Sequence, residues 1–493
     1  MADASGRMPV AYLYKEDKRT QGLSMRLLVL ALAAFSAANI SANFIIKYKD
    51  GSVEKSKINP SSQFTSYALS DDVEYVEEDL RLFANGGEYN DTYYSSQWHF
   101  SNYLDNTFYH AREYATSESD VRINVAVIDT GITDHFDLNS NVVGGYDFIS
   151  DPDNSRDGGG RDSNPNDEGD YGSPSTSCNS GTNASTWHGT HVAGIIGARA
   201  NNSYGVVGAA KNINLVPVRV LGACGGLTSD IADALRWAAG GSVSGVPTNP
   251  NPARVINMSL GARGSCSRYM QESIDFARSK GVVVVVATGN SNADASFYTP
   301  SNCRGVLRVG AVGTTRARSS YSNYGRIVDI AAPGDSILST VNSGQSTQGT
   351  AVFSRMNGTS MAAGFISATA AMIFQANPSL YPDQVRDIIT KTAVSFYCDR
   401  SACAKGAVDA YEAVSMAFST TANANFRYND PVLVGGTAAL NDGYSSGKSS
   451  GGACGTIEDV NSGSGSGSGS NMLVGLFLII AIIIGHRVRF MKP

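Results

Sequence analysis

Three side chains in this sequence have the types and the order that turn a hydroxyl into a nucleophile. They are Asp129 in V-A-V-I-D-T-G, His188 in W-H-G-T-H-V-A-G and Ser360 in N-G-T-S-M-A-A-G. A serine hydroxyl attacks a carbonyl only when a base takes its proton, and an imidazole serves best when a carboxylate fixes its tautomer and orientation. His188 is preferred to His191 because it stands where a polar segment turns into an apolar helical pattern, so it would project toward a cleft; His191 falls one turn later. Acyl transfer also needs donors aimed at the developing oxyanion, and Asn290 in A-T-G-N, with the backbone N–H of Ser360, is the candidate pair. Each residue alone has an ordinary use: Asp129 as a turn cap or metal ligand, either histidine in a core, Ser360 as an N-cap, Asn290 in a turn. The ordered set is what points to acyl transfer.

These residues need elements that bring them to one edge. From Arg122 onward, β-rich runs near Val125 to Asp129, Leu215 to Leu221, Val255 to Leu260, Val282 to Ala287 and Leu307 to Val312 alternate with helix-like stretches. Ser229 to Ala239 and Ser267 to Ser279 carry helical spacing, with serines placed to act as N-caps, and Met361 to Phe374 reads as a buried helix. Near-continuous apolar strands such as Val282 to Val286 suit a parallel sheet covered on both faces, so the expected class is α/β. Asp129 would then end its strand at the carboxyl edge, where open α/β sheets hold their ligands.

The 493 residues exceed one ordinary domain, with 42% hydrophobic and 17% charged residues and a net charge of −6. That balance gives no basic footprint for nucleic acid. Met25-Arg26, the apolar run 27–35 and the small residues Ser36, Ala37 and Ala38 read as a secretory signal, cut after Ala38 or Ala42, with Met25 as the expected start. Residues 43–88, with strands at Phe44 to Tyr48 and Val73 to Leu82 around a polar middle, form a short pro-segment, and residues 89–418 the globular domain. Residues 419–470, ending in the Gly/Ser repeat Ser462 to Ser470, read as a linker. Met472 to Gly485 is apolar and is followed by His486, Arg487, Arg489 and Lys492. Six of the seven cysteines lie between 178 and 403, and export favours disulfides over thiols; Cys454 stands apart in the linker.

Together V-I-D-T-G, H-G-T-H-V-A-G, A-T-G-N and N-G-T-S-M-A resemble the subtilase family from about Gln97 to Ala417. The order Asp, His, Ser is also that of subtilisin. The resemblance implies a three-layer, doubly wound parallel sheet of the subtilisin type and a secreted serine endopeptidase, with Asp129, His188 and Ser360 as triad and Asn290 as oxyanion donor. It further implies substrate pairing on Ser259-Leu260-Gly261 and on Gly225-Gly226-Leu227, with an S1 pocket walled by Leu260-Gly261 and Ala287-Thr288-Gly289. No charge lies on those walls, hence a broad or apolar P1 preference.

The cysteine positions resemble those of secreted proteobacterial subtilases and imply Cys178–Cys224, Cys266–Cys303 and Cys398–Cys403. No cofactor is expected for chemistry. A structural calcium is expected at Asp137 and Asn202, and the acidic segment 151–170 is either a solvated loop or a second calcium site. The tail resembles tripartite sorting tails, which implies a Gram-negative cell surface or extracellular location, export machinery and a rhomboid-like protease that removes the tail, or else a permanent anchor. Protein or peptide substrates and a monomer are expected. Gly364 and Phe365 depart from the family, which usually has Pro and often His there. The reading from another class is an inactive subtilase fold serving as a surface adhesin.

Overall fold

The Val- and Ile-rich runs become strands of one parallel sheet because each has apolar residues facing both ways. In the computed structural model, which describes residues 42–58, 70, 72–78, 89–101, 103–116, 120–172, 184–430 and 456–457, the N-terminal part contributes β1 (Ala42–Tyr48), β2 (Val53–Ile58) and β3 (Val73–Glu78). β1 pairs antiparallel with both others, in the order β2-β1-β3. β2, with the sequence V-E-K-S-K-I, occupies the stretch expected to be a polar middle. Its four central residues are polar, so no apolar alternation marks it, and pairing to β1 is what makes it a strand.

The larger part begins with α1 (Thr107–Ala115), β4 (Ile123–Asp129), β5 (Tyr146–Asp147), α2 (His188–Gly197), β6 (Ile213–Arg219) and α3 (Thr228–Ala238). It continues through β7 (Val255–Met258), β8 (Ala262–Arg263), α4 (Arg268–Ser279), β9 (Val283–Ala287), β10 (Tyr298–Thr299), β11 (Leu307–Val312) and β12 (Ile330–Pro333). Last come β13 (Ile337–Asn342), β14 (Ala351–Asn357), α5 (Thr359–Ala376), α6 (Pro382–Lys391) and α7 (Ala410–Ser419). Seven strands form the parallel sheet in the order β12-β11-β9-β7-β4-β6-β5. From β4 the chain goes out to the edge strand β5, returns to β6 between the two, then crosses to β7 and builds the other way through β9, β11 and β12. This is the doubly wound order, with its switch point beside β4.

Successive residues of one strand enter different cores. Val125 and Val127 pack with residues of α1, α2, α5, α6 and α7, whereas Ala126 and Ile128 pack with α3 and α4. This is the three-layer α/β arrangement. Among the described residues α5 is the one helix long and apolar enough to cross a membrane, and it is 94% buried in the core.

Two local expectations change. Ser267 does cap α4, accepting from Met270 N–H, but α3 starts at Thr228 after Leu227, which has no capping side chain. Asp230 in the first turn of α3 instead accepts from Ser150 and Arg161, so tertiary bonds anchor that end. Composition reads the residues after 418 as linker, yet Asp430 within that stretch pairs with Arg386 at 2.6 Å and with buried Arg308 at 3.3 Å.

Cys266–Cys303 and Cys398–Cys403 are disulfides, 37 and 5 residues apart. Loop-closure entropy makes the first worth about 4 kcal/mol and the second about 2 kcal/mol. Cys224 is disulfide-bonded as well, while Cys178 lies outside the described residues. So do the signal region, Leu82, Cys454 and the Gly/Ser repeat. The chain divides at Thr456 into two units, and the second, Ile457–Pro493, is described only at Ile457 and carries the apolar tail.

Candidate active site

Three adjacent strands deliver the candidate residues to the carboxyl edge of the sheet. Asp129 is the last residue of β4, Ser259-Leu260-Gly261 directly follows β7, and Asn290 follows β9 by three residues. Gly225-Gly226-Leu227 emerges after β6, so the two expected substrate-pairing segments leave the sheet on either side of Asp129. His188 is the first residue of α2 and Ser360 the second of α5. Gly358, and not Ser360, holds the N-cap position of α5.

Asp129 is fully buried, and its Oδ1 lies 2.7 Å from Nδ1 of His188 while also accepting from Thr130 N–H at 2.8 Å. With Nδ1 held by a carboxylate, the proton sits on Nδ1 and Nε2 is left as the basic nitrogen. The approach is possible because residue 189 is glycine: a Cβ there would lie 2.2 Å from the Gly131 carbonyl oxygen and 3.2 Å from Asp129 Cβ. Trp187, just before the histidine, has φ +52°. That left-handed conformation costs a non-glycine residue on the order of 1 kcal/mol, and the bond from Trp187 Nε1 to the Gly344 carbonyl, 2.8 Å, helps hold it. His191 is wholly buried and its Nε2 faces the carbonyls of Ile337 and Ser354 at 3.0 and 3.2 Å. Burial, followed by the His188 charge, pushes its pKa down to about 3, so it stays neutral and ties α2 to the β13–β14 hairpin.

Around Ser360 the polar groups are ordered by residues the motifs do not flag. Asn290 Oδ1 accepts from both the N–H and the Oγ1 of Thr359 at 2.9 Å. That fixes the amide with Nδ2 on the opposite side, facing away from Thr359. Thr359 Oγ1 also accepts from Gly289 N–H at 3.1 Å. Ser259 Oγ donates to the Ser360 carbonyl at 3.0 Å and accepts from Asn257, which in turn accepts from Ser367. Asn323 clamps the loop after β9, donating to the Thr288 carbonyl and accepting from the N–H groups of Ser291 and Ala293. Thr288, between Ala287 and Gly289, turns its hydroxyl onto the Val309 carbonyl at 3.0 Å. Position alone could have suggested Thr359, which precedes Ser360; Asn257, Asn323 and Ser367 carry no sequence signal.

The acidic segment is not a solvated loop at its end. Asp167 and Asp170 are buried. Asp167 accepts from Thr130 Oγ1 at 2.6 Å, and that hydroxyl accepts from Gly189 N–H, while Asp170 accepts from Thr186 N–H and Oγ1. These bonds brace the chain on both sides of Asp129 and His188. Burial, then the Asp170 charge, pushes Asp167 up to about 7.

At the expected calcium position Asp137 and Asn202 are together, with Asn202 Nδ2 donating to Asp137 Oδ1 at 2.7 Å and Val206 N–H to Oδ2 at 2.8 Å. Asp91, unmarked by any motif, accepts from the N–H groups of Asn201 and Asn202 in the same loop. Burial pushes Asp137 up to about 6, and the Asp91 charge adds to this. Among the described residues no group of three His, Cys, Asp or Glu converges. The oxygens of Asp91, Asp137 and Asn202 are the hard donors that suit calcium.

The family departures are accommodated. α5 runs unbroken through Gly364, where a Cβ would come within 3.0 Å of Ile195 Cγ2, so glycine lets α5 approach α2. Phe365 packs its ring 4.6 Å from His99 and 4.8 Å from Phe108.

Known proteins are similar to this chain in sequence. The chain is 48% identical over 360 residues to an extracellular protease of Xanthomonas campestris, covering 71% of this chain and 61% of the relative. It is 43% identical over 391 residues to an extracellular basic protease of Dichelobacter nodosus, covering 76% and 64%. It thus spans about three-fifths of the length of these curated relatives. A solved protease structure from Pseudoalteromonas arctica matches with a TM-score of 0.63 and 47% identity, over 67% of this chain and 100% of that one. A model described as "Subtilase family" matches residues 121–429, and the chain belongs to that family.

Proposed function

We propose that the chain is an exported serine endopeptidase that hydrolyses proteins through an acyl-enzyme. The observation that carries this reading is the 2.7 Å contact of Asp129 with Nδ1 of His188, made at the sheet edge that also carries Ser360 and Asn290. Ser360 Oγ attacks the scissile carbonyl carbon as its proton passes to His188 Nε2, and Asp129 stabilises the imidazolium. Asn290 Nδ2 and the Ser360 N–H bond the oxyanion. Collapse breaks the C–N bond while His188 returns its proton to the leaving amine, and water repeats the sequence to free the acid.

The peptide lies extended between Gly225–Leu227 and Ser259–Gly261, where main-chain pairing gives affinity and pockets give selectivity. Leu260, Gly261, Ala287 and Gly289 offer no charge, and the Thr288 hydroxyl is already bonded, which suits an apolar P1 side chain. The relatives' names as extracellular proteases support export.

Labelling with a fluorophosphonate tests this reading: one equivalent is expected on Ser360 and none after Ser360→Ala, and labelling elsewhere, or none in processed protein, would sink it. Calcium has no part in the steps; it is proposed as a structural ion held by Asp91, Asp137 and Asn202 once the Asn202 amide turns its oxygen inward. EDTA should lower the Tm of the wild type by several degrees and leave Asp137→Asn unchanged; equal effects on both would refute the site.

A further inference from the structure

The first half of the acidic segment is tied to a buried arginine, with Asp151 and Asp153 left exposed. Arg219, the last residue of β6 and 1% exposed, reaches into it. Its Nη1 donates to Asp147 at 2.5 Å and to Asp157 at 3.2 Å, and its Nη2 to the carbonyl of Ser155. These bonds fix the single helical turn Pro152–Ser155, which Asp151 caps by accepting from Asp153 N–H. One side chain of that turn, Asn154, points at the Gly222–Gly225 turn and is 6% exposed.

Asn154 binds three successive residues there. Its Nδ2 donates to the Gly225 carbonyl at 3.0 Å, its Oδ1 accepts from Cys224 N–H at 2.6 Å, and its own carbonyl accepts from Ala223 N–H at 3.3 Å. Gly222 and Gly225 exchange N–H···O bonds of 3.0 Å, closing the turn. A Cβ on Gly222 would lie 2.2 Å from the Asn154 carbonyl oxygen, so only glycine admits this approach. Both main-chain groups of Gly225 are therefore used internally. Gly226 makes no hydrogen bond among the described residues, which leaves its peptide groups for an incoming strand.

We propose that Asn154 is a positioning residue for extended substrates: it holds Gly225–Leu227 in the conformation in which Gly226 pairs with the peptide. The proposal rests on reading Gly225–Leu227 as a substrate-pairing segment. Two adjacent glycines lose more conformational freedom on ordering than any other pair. Tied down by Asn154, they are ordered on folding, and binding no longer carries that cost. A single-residue ester, which does not reach this segment, gains nothing from it.

The test compares a single-residue ester with a tetrapeptide anilide of the same P1 residue, each rate expressed per titrated active site. In the wild type kcat/KM should rise with length. Asn154→Ala should lower kcat/KM for the tetrapeptide about tenfold, through KM, as expected for losing a neutral hydrogen-bond clamp, while the ester stays within about twofold. Asn154→Asp keeps the size and the acceptor for Cys224 but sets an oxygen against the Gly225 carbonyl, so it should lose at least as much. If both variants keep the wild-type ratio of tetrapeptide to ester and change only Tm or titre, Asn154 is merely structural and the proposal fails. If the wild type itself gains nothing with length, the reading of Gly225–Leu227 fails first and takes the proposal with it.

Discussion

Ser360→Ala is expected to lower kcat on a peptide substrate by about 10⁶, with KM little changed, the scale known for the same replacement in subtilisin, a member of this family. The alanine has no atom that can form the acyl bond, and only background hydrolysis aided by the oxyanion donors remains. The fold should survive. Ser360 is in the first turn of α5, where alanine is a good helix former, and its hydroxyl bond to the Ser259 carbonyl is long at 3.3 Å. Losing it costs about 1 kcal/mol or less. His188→Ala should cost as much as Ser360→Ala, and the double variant no more, because the two act as one unit. Asp129→Asn should cost about 10⁴ by presenting the wrong partner to Nδ1. Rates measured with protein freed of contaminating protease decide the matter. Ser360→Ala retaining more than about a hundredth of wild-type kcat, or additive losses in the double variant, would remove the triad assignment.

The parts of this arrangement legible in the sequence are those that chemistry restricts to one residue type. Asp129, His188, Asn290 and Ser360 stand in short motifs because glycines and a helix start must sit at fixed offsets from them; Gly189 is the clearest case, since any side chain there would strike Gly131. Strands β4, β6, β7, β9 and β11 were visible because burial on both faces favours near-continuous apolar residues. β2 was not, because its four central residues are polar. The supporting residues were invisible for another reason. Asn154, Asp167, Asn323 and Ser367 bond to partners 71, 37, 35 and 110 positions away, and a polar residue in a loop looks the same whether it meets water or a buried main chain. The acidic segment shows the difference: its charge suggested solvent or calcium, yet Asp157 meets Arg219, while Asp167 and Asp170 meet hydroxyl and amide donors.

Asn290→Ala should lower kcat by about 10²–10³ with KM nearly unchanged, the range measured when the equivalent donor is removed from subtilisin. The split between kcat and KM follows from where the charge is. The ground-state carbonyl oxygen is neutral and planar, whereas the oxyanion is displaced toward the donors and charged, so the bond from Nδ2 strengthens only as the reaction proceeds. The orientation of Nδ2 depends on Thr359, whose N–H and Oγ1 both hold Asn290 Oδ1. Thr359→Val keeps the shape and the N–H and removes the hydroxyl, which frees one anchor of Asn290 and the acceptor of Gly289. A loss of about tenfold in kcat is expected, close to that of one neutral hydrogen bond. With Ala already at 290 the valine should cost nothing further in kcat, because Thr359 would then have no donor to orient. A double-mutant cycle on kcat measures this coupling. Full additivity would mean that Thr359 acts by some other route, and an Asn290→Ala variant whose loss fell on KM would mean that Asn290 holds the substrate and not the transition state.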